Sequence, residues 1–142
     1  MSVQTIKILI AGALLLHGLG HVGAIGALVA HGLGASTGPW RPARSWLLRP
    51  LPAPVAATVA SIFWALSAIG FVAASMSFWG ILVPGELWRQ LALASSVVSI
   101  LGIVLFFGIW PLFNTFAALG MNIAVLVTQL SMHWPPPAMF GK

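Results

Sequence analysis

Hydrophobic and polar positions in this chain separate into long blocks, with polar residues confined to short segments between long apolar runs. The apolar runs cover residues 8–32, 55–80, 89–109 and 112–132. Each run is long enough to span a bilayer core, which takes about 20 helical residues. Runs this continuous favour helices, because membrane β-strands alternate between apolar and polar positions. The pattern predicts an all-α, integral membrane four-helix bundle that forms a single domain over residues 1–142.

The connections between the runs differ in length. The second and third runs are joined through Pro84-Gly85-Glu86, and the third and fourth through Trp110-Pro111. Short links place consecutive helices side by side, so we expect an antiparallel up-down topology. The first connection, residues 34–54, is longer and rich in proline and arginine, and its prolines exclude one continuous helix.

Composition supports the membrane assignment. Apolar residues make up 60% of the chain and charged residues 5%, whereas soluble domains carry roughly 25% charged residues. The net charge is +5, but the basic residues form no dense stripe, so we expect no nucleic-acid partner. Most tryptophans fall near predicted helix ends, as in the aromatic belts of membrane proteins.

The first run is longer than the apolar core of a signal peptide and lacks a clear cleavage site, so we expect a retained helix.

Arginines define the expected orientation. Arg41, Arg44 and Arg49 form the only cationic cluster, in the first connection. Cytoplasmic loops of membrane proteins are enriched in Lys and Arg, so we expect this connection in the cytoplasm and both termini outside. The three arginines are expected at the level of the lipid headgroups. The predicted location is the bacterial inner membrane, with several passes.

The histidines of the first helix are its main candidates for a functional site. His17 and His21 lie near its middle, where ionisable side chains usually mark a site or a buried contact. Winding the helix at about 100° per residue gathers one set of residues on a side expected to face protein: Ala13, His17, Gly20, His21, Ala24, Ala27 and His31. The opposite side is expected to face lipid: Ile8, Leu15, Leu19, Val22, Val29 and Leu33.

A matching polar stripe recurs on the fourth helix. Thr115, Asn122 and Gln129 are spaced seven residues apart and therefore share a face. Asn122 lies near the middle of its run, as His17 and His21 do in theirs. We therefore predict interhelical polar contacts among His17, His21, Asn122 and Gln129, with the first and fourth helices touching at mid-membrane.

A second interpretation of the histidines is a cofactor site. His17 or His21 is a candidate axial ligand of haem or of a chlorophyll magnesium. A bis-histidine haem within one chain is disfavoured, because no other run has a central histidine. We expect no metal site, since cysteine is absent and no carboxylate lies near the pair. The cofactor remains open between none and a haem or chlorophyll.

The order of these parts resembles a broad group of uncharacterised small bacterial four-helix membrane proteins. The resemblance is carried by His17-Gly18-x-x-His21, the Pro/Arg connection from Pro39 to Pro54, and Asn122. It implies the four-helix architecture and no particular activity. Members of that group often carry an Asp and a Lys where the fourth helix begins, whereas this chain has Asn114 and Phe116.

The residues offer little for catalysis. Glu86 is the only acidic residue, and the serines have no accompanying base and acid. The leading hypothesis is therefore a non-catalytic small subunit that packs beside larger membrane proteins, as in a respiratory or photosynthetic complex. One alternative is a haem- or chlorophyll-binding electron-transfer or pigment protein that uses His17 or His21. The other is a homo-oligomeric small transporter or membrane enzyme. The expected partners are the bilayer and either larger subunits or further copies of this chain.

Overall fold

The computed structural model describes residues 1–136 and is all-α over them, with no strand in that part of the chain. The predicted single domain also includes residues 137–142, which lie outside the described residues. The helices are α1 (Val3–Gly32), α2 (Ala53–Ser77), α3 (Trp88–Leu105) and α4 (Leu112–Leu126). A 3-10 turn, Gly85–Leu87, precedes α3, and a π-helical turn, Val127–Ser131, continues α4.

All four predicted runs form helices that are long and apolar enough to cross a membrane. Counted with their flanking turns, the third and fourth extend over Gly85–Leu105 and Leu112–Ser131. The first begins earlier than the apolar run, because the Ser2 hydroxyl accepts a hydrogen bond from the Thr5 backbone N–H at 3.1 Å. This contact satisfies one of the free donors at the helix start.

The third helix ends at Leu105, whereas the apolar run extends to residue 109. After Leu105 the backbone turns, and Gly108 adopts a positive φ of 92°, which suits glycine because it has no Cβ. The last carbonyls of α3 are bound by the first connection: Ser45 Oγ donates to the Leu105 oxygen at 2.7 Å, and Trp46 Nε1 donates to that of Val104 at 2.6 Å. These two bonds satisfy acceptors that a helix end leaves free.

The helices pack in chain order, α1 on α2, α2 on α3, and α3 on α4. Small residues permit the close approaches. A Cβ added at Gly18 would lie 3.1 Å from the Ala68 carbonyl oxygen, and one added at Gly102 would lie 2.7 Å from Phe63 Cβ. The larger of two buried apolar clusters surrounds Trp64, and the smaller one contains Phe71.

The two faces of α1 differ in how closely they follow the predicted pattern. The large branched residues expected outside are all exposed. The inward face differs, since its buried residues are Ala11, Leu14, Gly18, His21, Ala24 and Leu28. Ala13 and Gly20, expected inside, are exposed. The buried face is rotated because Gly18, rather than Gly20, is the glycine that admits the backbone of α2.

Candidate functional site

A chain of hydrogen bonds joins four polar side chains from three helices in the middle of the bundle. His17 Nε2 lies 2.9 Å from Asn122 Oδ1, Asn122 Nδ2 lies 2.7 Å from Ser99 Oγ, and Ser99 Oγ lies 3.0 Å from His21 Nε2. We call His17, Asn122, Ser99 and His21 the polar cluster. It begins and ends on α1 and passes through α4 and α3, so it links three helices that pack around it.

Donor and acceptor chemistry gives the polar cluster a direction. Asn122 Oδ1 can only accept, so His17 Nε2 carries a hydrogen and donates to it. Asn122 Nδ2 donates to Ser99 Oγ, and His21 Nε2 is the only acceptor bonded to that hydroxyl among residues 1–136, so the Ser99 hydroxyl donates its hydrogen to His21 Nε2. His21 in its neutral form therefore carries its own hydrogen on Nδ1. The two histidines adopt opposite tautomers, and all donation runs from His17 towards His21.

Aromatic rings surround the histidines and fix their orientation. The His17 and His21 rings meet edge to face at 5.0 Å between centroids, and the Phe71 ring lies 4.6 Å from His17 in a similar geometry. The centroid of the His21 ring also lies 5.2 Å from that of Trp110, and the Trp110 centroid lies 5.2 Å from that of Trp64. His21 and Asn122 have no exposed surface. The packing leaves both side chains a narrow range of orientations, which favours well-formed hydrogen bonds.

Several buried polar atoms near the polar cluster have no hydrogen-bond partner within residues 1–136. They are His21 Nδ1, Trp64 Nε1, Trp110 Nε1 and Ser96 Oγ. Buried polar groups are normally paired, and an unpaired one costs roughly 1–3 kcal/mol in protein mutational data. Hydrogen bonds thus connect the two histidines of the polar cluster, whereas His21 Nδ1 has no hydrogen-bond partner within residues 1–136.

The predicted partners of the histidines do not all lie together. Asn122 contacts His17 directly and reaches His21 through Ser99, but Gln129 belongs to a separate network. Gln129 Oε1 accepts from Arg89 Nε at 3.0 Å, and Gln129 Nε2 donates to the Trp134 carbonyl at 2.7 Å. An apolar cavity of about 140 Å³ borders the contacts of Gln129, lined by residues of α1, α3 and α4 and by the segment that follows α4.

The remaining polar positions on this side of the bundle bond locally. Thr115 is buried, and its hydroxyl donates to the carbonyls of Trp110 and Pro111 at the start of its own helix. His31 lies at the end of α1, where its Nδ1 is 3.5 Å from Thr37 Oγ1. Neither residue contributes to the polar cluster.

The two candidate axial ligands do not offer a free coordinating nitrogen at Nε2. In both His17 and His21 that atom is engaged in the polar cluster. The His21 ring is surrounded by the rings of His17, Phe71 and Trp110. A haem or chlorophyll bound through Nε2 of either histidine would have to break a hydrogen bond of the polar cluster and displace aromatic side chains. No group of three or more metal-ligating His, Cys, Asp or Glu side chains forms among residues 1–136.

The three arginines predicted at headgroup level all lie at the surface, but they differ in their contacts. Arg49 Nε donates to the Trp46 carbonyl at 3.1 Å, within its own segment. Arg41 and Arg44 instead line a cavity of about 390 Å³ together with the turn between α3 and α4.

Three residues around the histidines and Gln129 are not among those predicted from the sequence: Ser99 of the polar cluster, Arg89, which bonds Gln129, and Trp110, whose ring packs beside His21. Ser99 is both a small residue at a helix contact and the central link of the polar cluster. The sequence feature that points to Ser99 is its spacing from Ser95 and Ser96. The three serines give α3 one polar face, and all three are buried. In a helix that is otherwise apolar beyond its first turn, such a face indicates the side directed towards protein.

Comparison of the chain with protein-family models, with curated proteins and with solved structures gives no match.

Proposed function

We propose that this chain is a multi-pass protein of the bacterial inner membrane, an antiparallel four-helix bundle with a non-catalytic role. In this proposal it is a small subunit that packs beside larger membrane proteins, as such subunits do in respiratory and photosynthetic complexes. The polar cluster then stabilises the packing of the helices through hydrogen bonds. Its groups bond to one another across three helices, as polar residues between membrane helices commonly do.

The order in which residues of neighbouring helices meet supports an antiparallel arrangement. Ser75 near the end of α2 donates to the Ala11 carbonyl near the start of α1 at 2.8 Å, while Gly18 packs against the earlier residue Phe71. Contacts between α3 and α4 follow the same rule. Arg89 at the start of α3 bonds Gln129, and the later residue Ser99 bonds the earlier residue Asn122.

The observation that carries the proposed role is the outward face of α1. Gly12, Gly20 and Gly23 lie on one side of this helix, and a Cβ added at any of them would meet nothing within 4 Å. Leu16 projects between them with 70% of its surface exposed. Glycine in a helix costs about 1 kcal/mol relative to alanine, and small residues in membrane helices allow a neighbouring backbone to approach closely. Nothing within residues 1–136 makes that approach, so the face is suited to a helix from another protein.

Replacing Gly20 and Gly23 by leucine is expected to detach the protein from its assembly, because the added side chains would hold a partner helix away. After mild detergent extraction of native membranes, the wild-type protein should migrate in a large complex on a native gel, and the double variant should migrate alone. Gly120→Leu is the matched control. Gly120 is exposed on α4 with nothing within 4 Å of an added Cβ, so this variant should stay in the complex.

Two results would contradict the subunit role. One is a wild-type protein that migrates as a monomer directly after extraction. The other is cross-linking to integer multiples of 14.9 kDa, which would favour the homo-oligomeric alternative. The variants should be at least as stable as wild type in the same detergent, since both sites are exposed and leucine favours helix over glycine. This separates loss of association from loss of folding.

Orientation is testable with single cysteines, because the chain has no native cysteine. Ser36 is exposed in the first connection and Gln4 is exposed before the predicted apolar run. With the connection in the cytoplasm, Ser36→Cys should escape an impermeant maleimide added to intact cells, and Gln4→Cys should react. The reverse pattern would mean that the termini face the cytoplasm.

A further inference from the structure

Two arginines line one cavity at the end of the bundle where α3 stops. The cavity has a volume of about 390 Å³ and lies between the first connection and the turn that joins α3 to α4. Its lining residues are Arg41, Pro42, Arg44, Phe107, Gly108 and Ile109. We call it the arginine cavity.

The backbone around the arginine cavity is held at several points. The Arg41 N–H donates to the Ile109 carbonyl at 3.0 Å, and Ser45 Oγ donates to the Leu105 carbonyl at 2.7 Å. Between them Ala43 is buried in the main apolar cluster with 4% of its surface exposed. Arg44 therefore lies between two anchored residues, and both arginines start from fixed backbone positions on the same rim.

Neither guanidinium in the cavity has a hydrogen-bond or ion-pair partner within residues 1–136, whereas that of Arg49 donates to the Trp46 carbonyl. The only acidic side chain of the sequence, Glu86, precedes the start of α3. An α-helix rises about 1.5 Å per residue, so the 18 residues of α3 separate Glu86 from the cavity. The two positive charges are available to an external anion.

Helix ends near the arginine cavity do not offset this charge. The carboxyl end of α3 contributes about half a negative charge, and its last carbonyls are already bonded to Ser45 and Trp46. The amino end of α4 begins at Leu112 and contributes about half a positive charge. These partial charges nearly cancel, and two full positive charges remain.

We propose that the arginine cavity binds the phosphate of an anionic phospholipid, with Arg41 and Arg44 as its ligands. Planar guanidinium groups suit phosphate, because each can donate two parallel hydrogen bonds. The lipid is favoured over a free phosphate because the cavity also contains the half-exposed ring of Phe107, which suits the apolar part of a lipid. This site rests on the membrane placement proposed above, and it is independent of any partner subunit.

Lipid retention on purified protein tests the site. The protein would be reconstituted in nanodiscs of phosphatidylcholine and phosphatidylglycerol, extracted into mild detergent, and examined by native mass spectrometry. We expect selective retention of phosphatidylglycerol by wild type. Arg41→Gln and Arg44→Gln should each reduce it roughly fivefold, the value expected for one arginine near an anionic surface. Arg49→Gln is the matched control, since it removes the same charge from the same connection and should retain the lipid.

Three outcomes would overturn the proposal. Equal loss in Arg49→Gln would mean a diffuse electrostatic effect, and unchanged retention in both Arg41→Gln and Arg44→Gln would mean that these residues are not ligands. Displacement of the lipid by inorganic phosphate would identify a free anion as the occupant. The Gly20/Gly23 leucine variant should retain the lipid. Loss of the assembly without loss of lipid would therefore leave this site standing, and loss of lipid selectivity alone would leave the subunit role standing.

Discussion

Asn122→Leu should lower the free energy of unfolding more than any other single polar replacement on α4. The change removes the acceptor of His17 and a donor to Ser99, both in the polar cluster. Interhelical hydrogen bonds in membranes average about 0.6 kcal/mol and reach about 1.7 kcal/mol. With two bonds lost and the His17 N–H left without its acceptor, we expect a loss of about 1–3 kcal/mol.

Unfolding in mixed micelles, followed by circular dichroism during a titration with a denaturing detergent, measures this difference. Asn114→Leu provides the control, because Asn114 is exposed at the start of the same helix. It should change stability by less than about 0.5 kcal/mol, as exposed substitutions usually do. Equal effects of the two changes would show that the polar cluster contributes nothing beyond ordinary side-chain burial.

Coupling within the polar cluster provides a second readout of the same prediction. Ser99→Ala removes the bridge between Asn122 and His21. Residues that share one hydrogen-bond network have non-additive effects, so the double variant Asn122→Leu, Ser99→Ala should lose less stability than the sum of the single variants. Strict additivity would mean that the two side chains act separately.

The positions of the helices could be predicted from the sequence because length and apolar character decide them. Four long apolar runs became four long helices, and the seven-residue spacing of Thr115, Asn122 and Gln129 identified the buried face of α4. In both cases the signal is contained within one segment. The spacing requires no knowledge of what packs against the helix.

The inward face of α1 could be read only in part from its own residues. The histidines place His21 and Ala24 inside, as observed, but every other residue from 8 to 30 is apolar or small, so the remaining sides of the helix are hard to tell apart. Gly18 and Gly20 differ by two positions, and only the approach of Ala68 and Phe71 on α2 distinguishes the first as buried. The direction of a small residue in a membrane helix depends on its neighbour, and sequence periodicity carries no information about that neighbour.

The end of α3 illustrates a second limit. The residues from Phe106 to Ile109 continue the apolar run, so hydropathy predicts a longer helix. The helix stops because Ser45 and Trp46, from a segment distant in sequence, bond its last carbonyls, and because Gly108 permits a backbone turn. The same early stop opens the arginine cavity. The site that we infer there therefore depends on a tertiary contact that the sequence alone does not reveal.

Gly102→Ala is expected to destabilise the packing of α2 on α3 by about 1–3 kcal/mol, the usual cost of overfilling a packed interior. The added Cβ would lie 2.7 Å from Phe63 Cβ. Because that atom is fixed to the backbone of α2, no change of side-chain rotamer removes the clash, and the two helices must separate. Gly120→Ala is the control. It meets nothing within 4 Å and should be neutral or stabilising by up to about 1 kcal/mol, since alanine favours helix. A Gly102→Ala protein that unfolds at the same detergent fraction as wild type would show that α2 and α3 do not pack this closely.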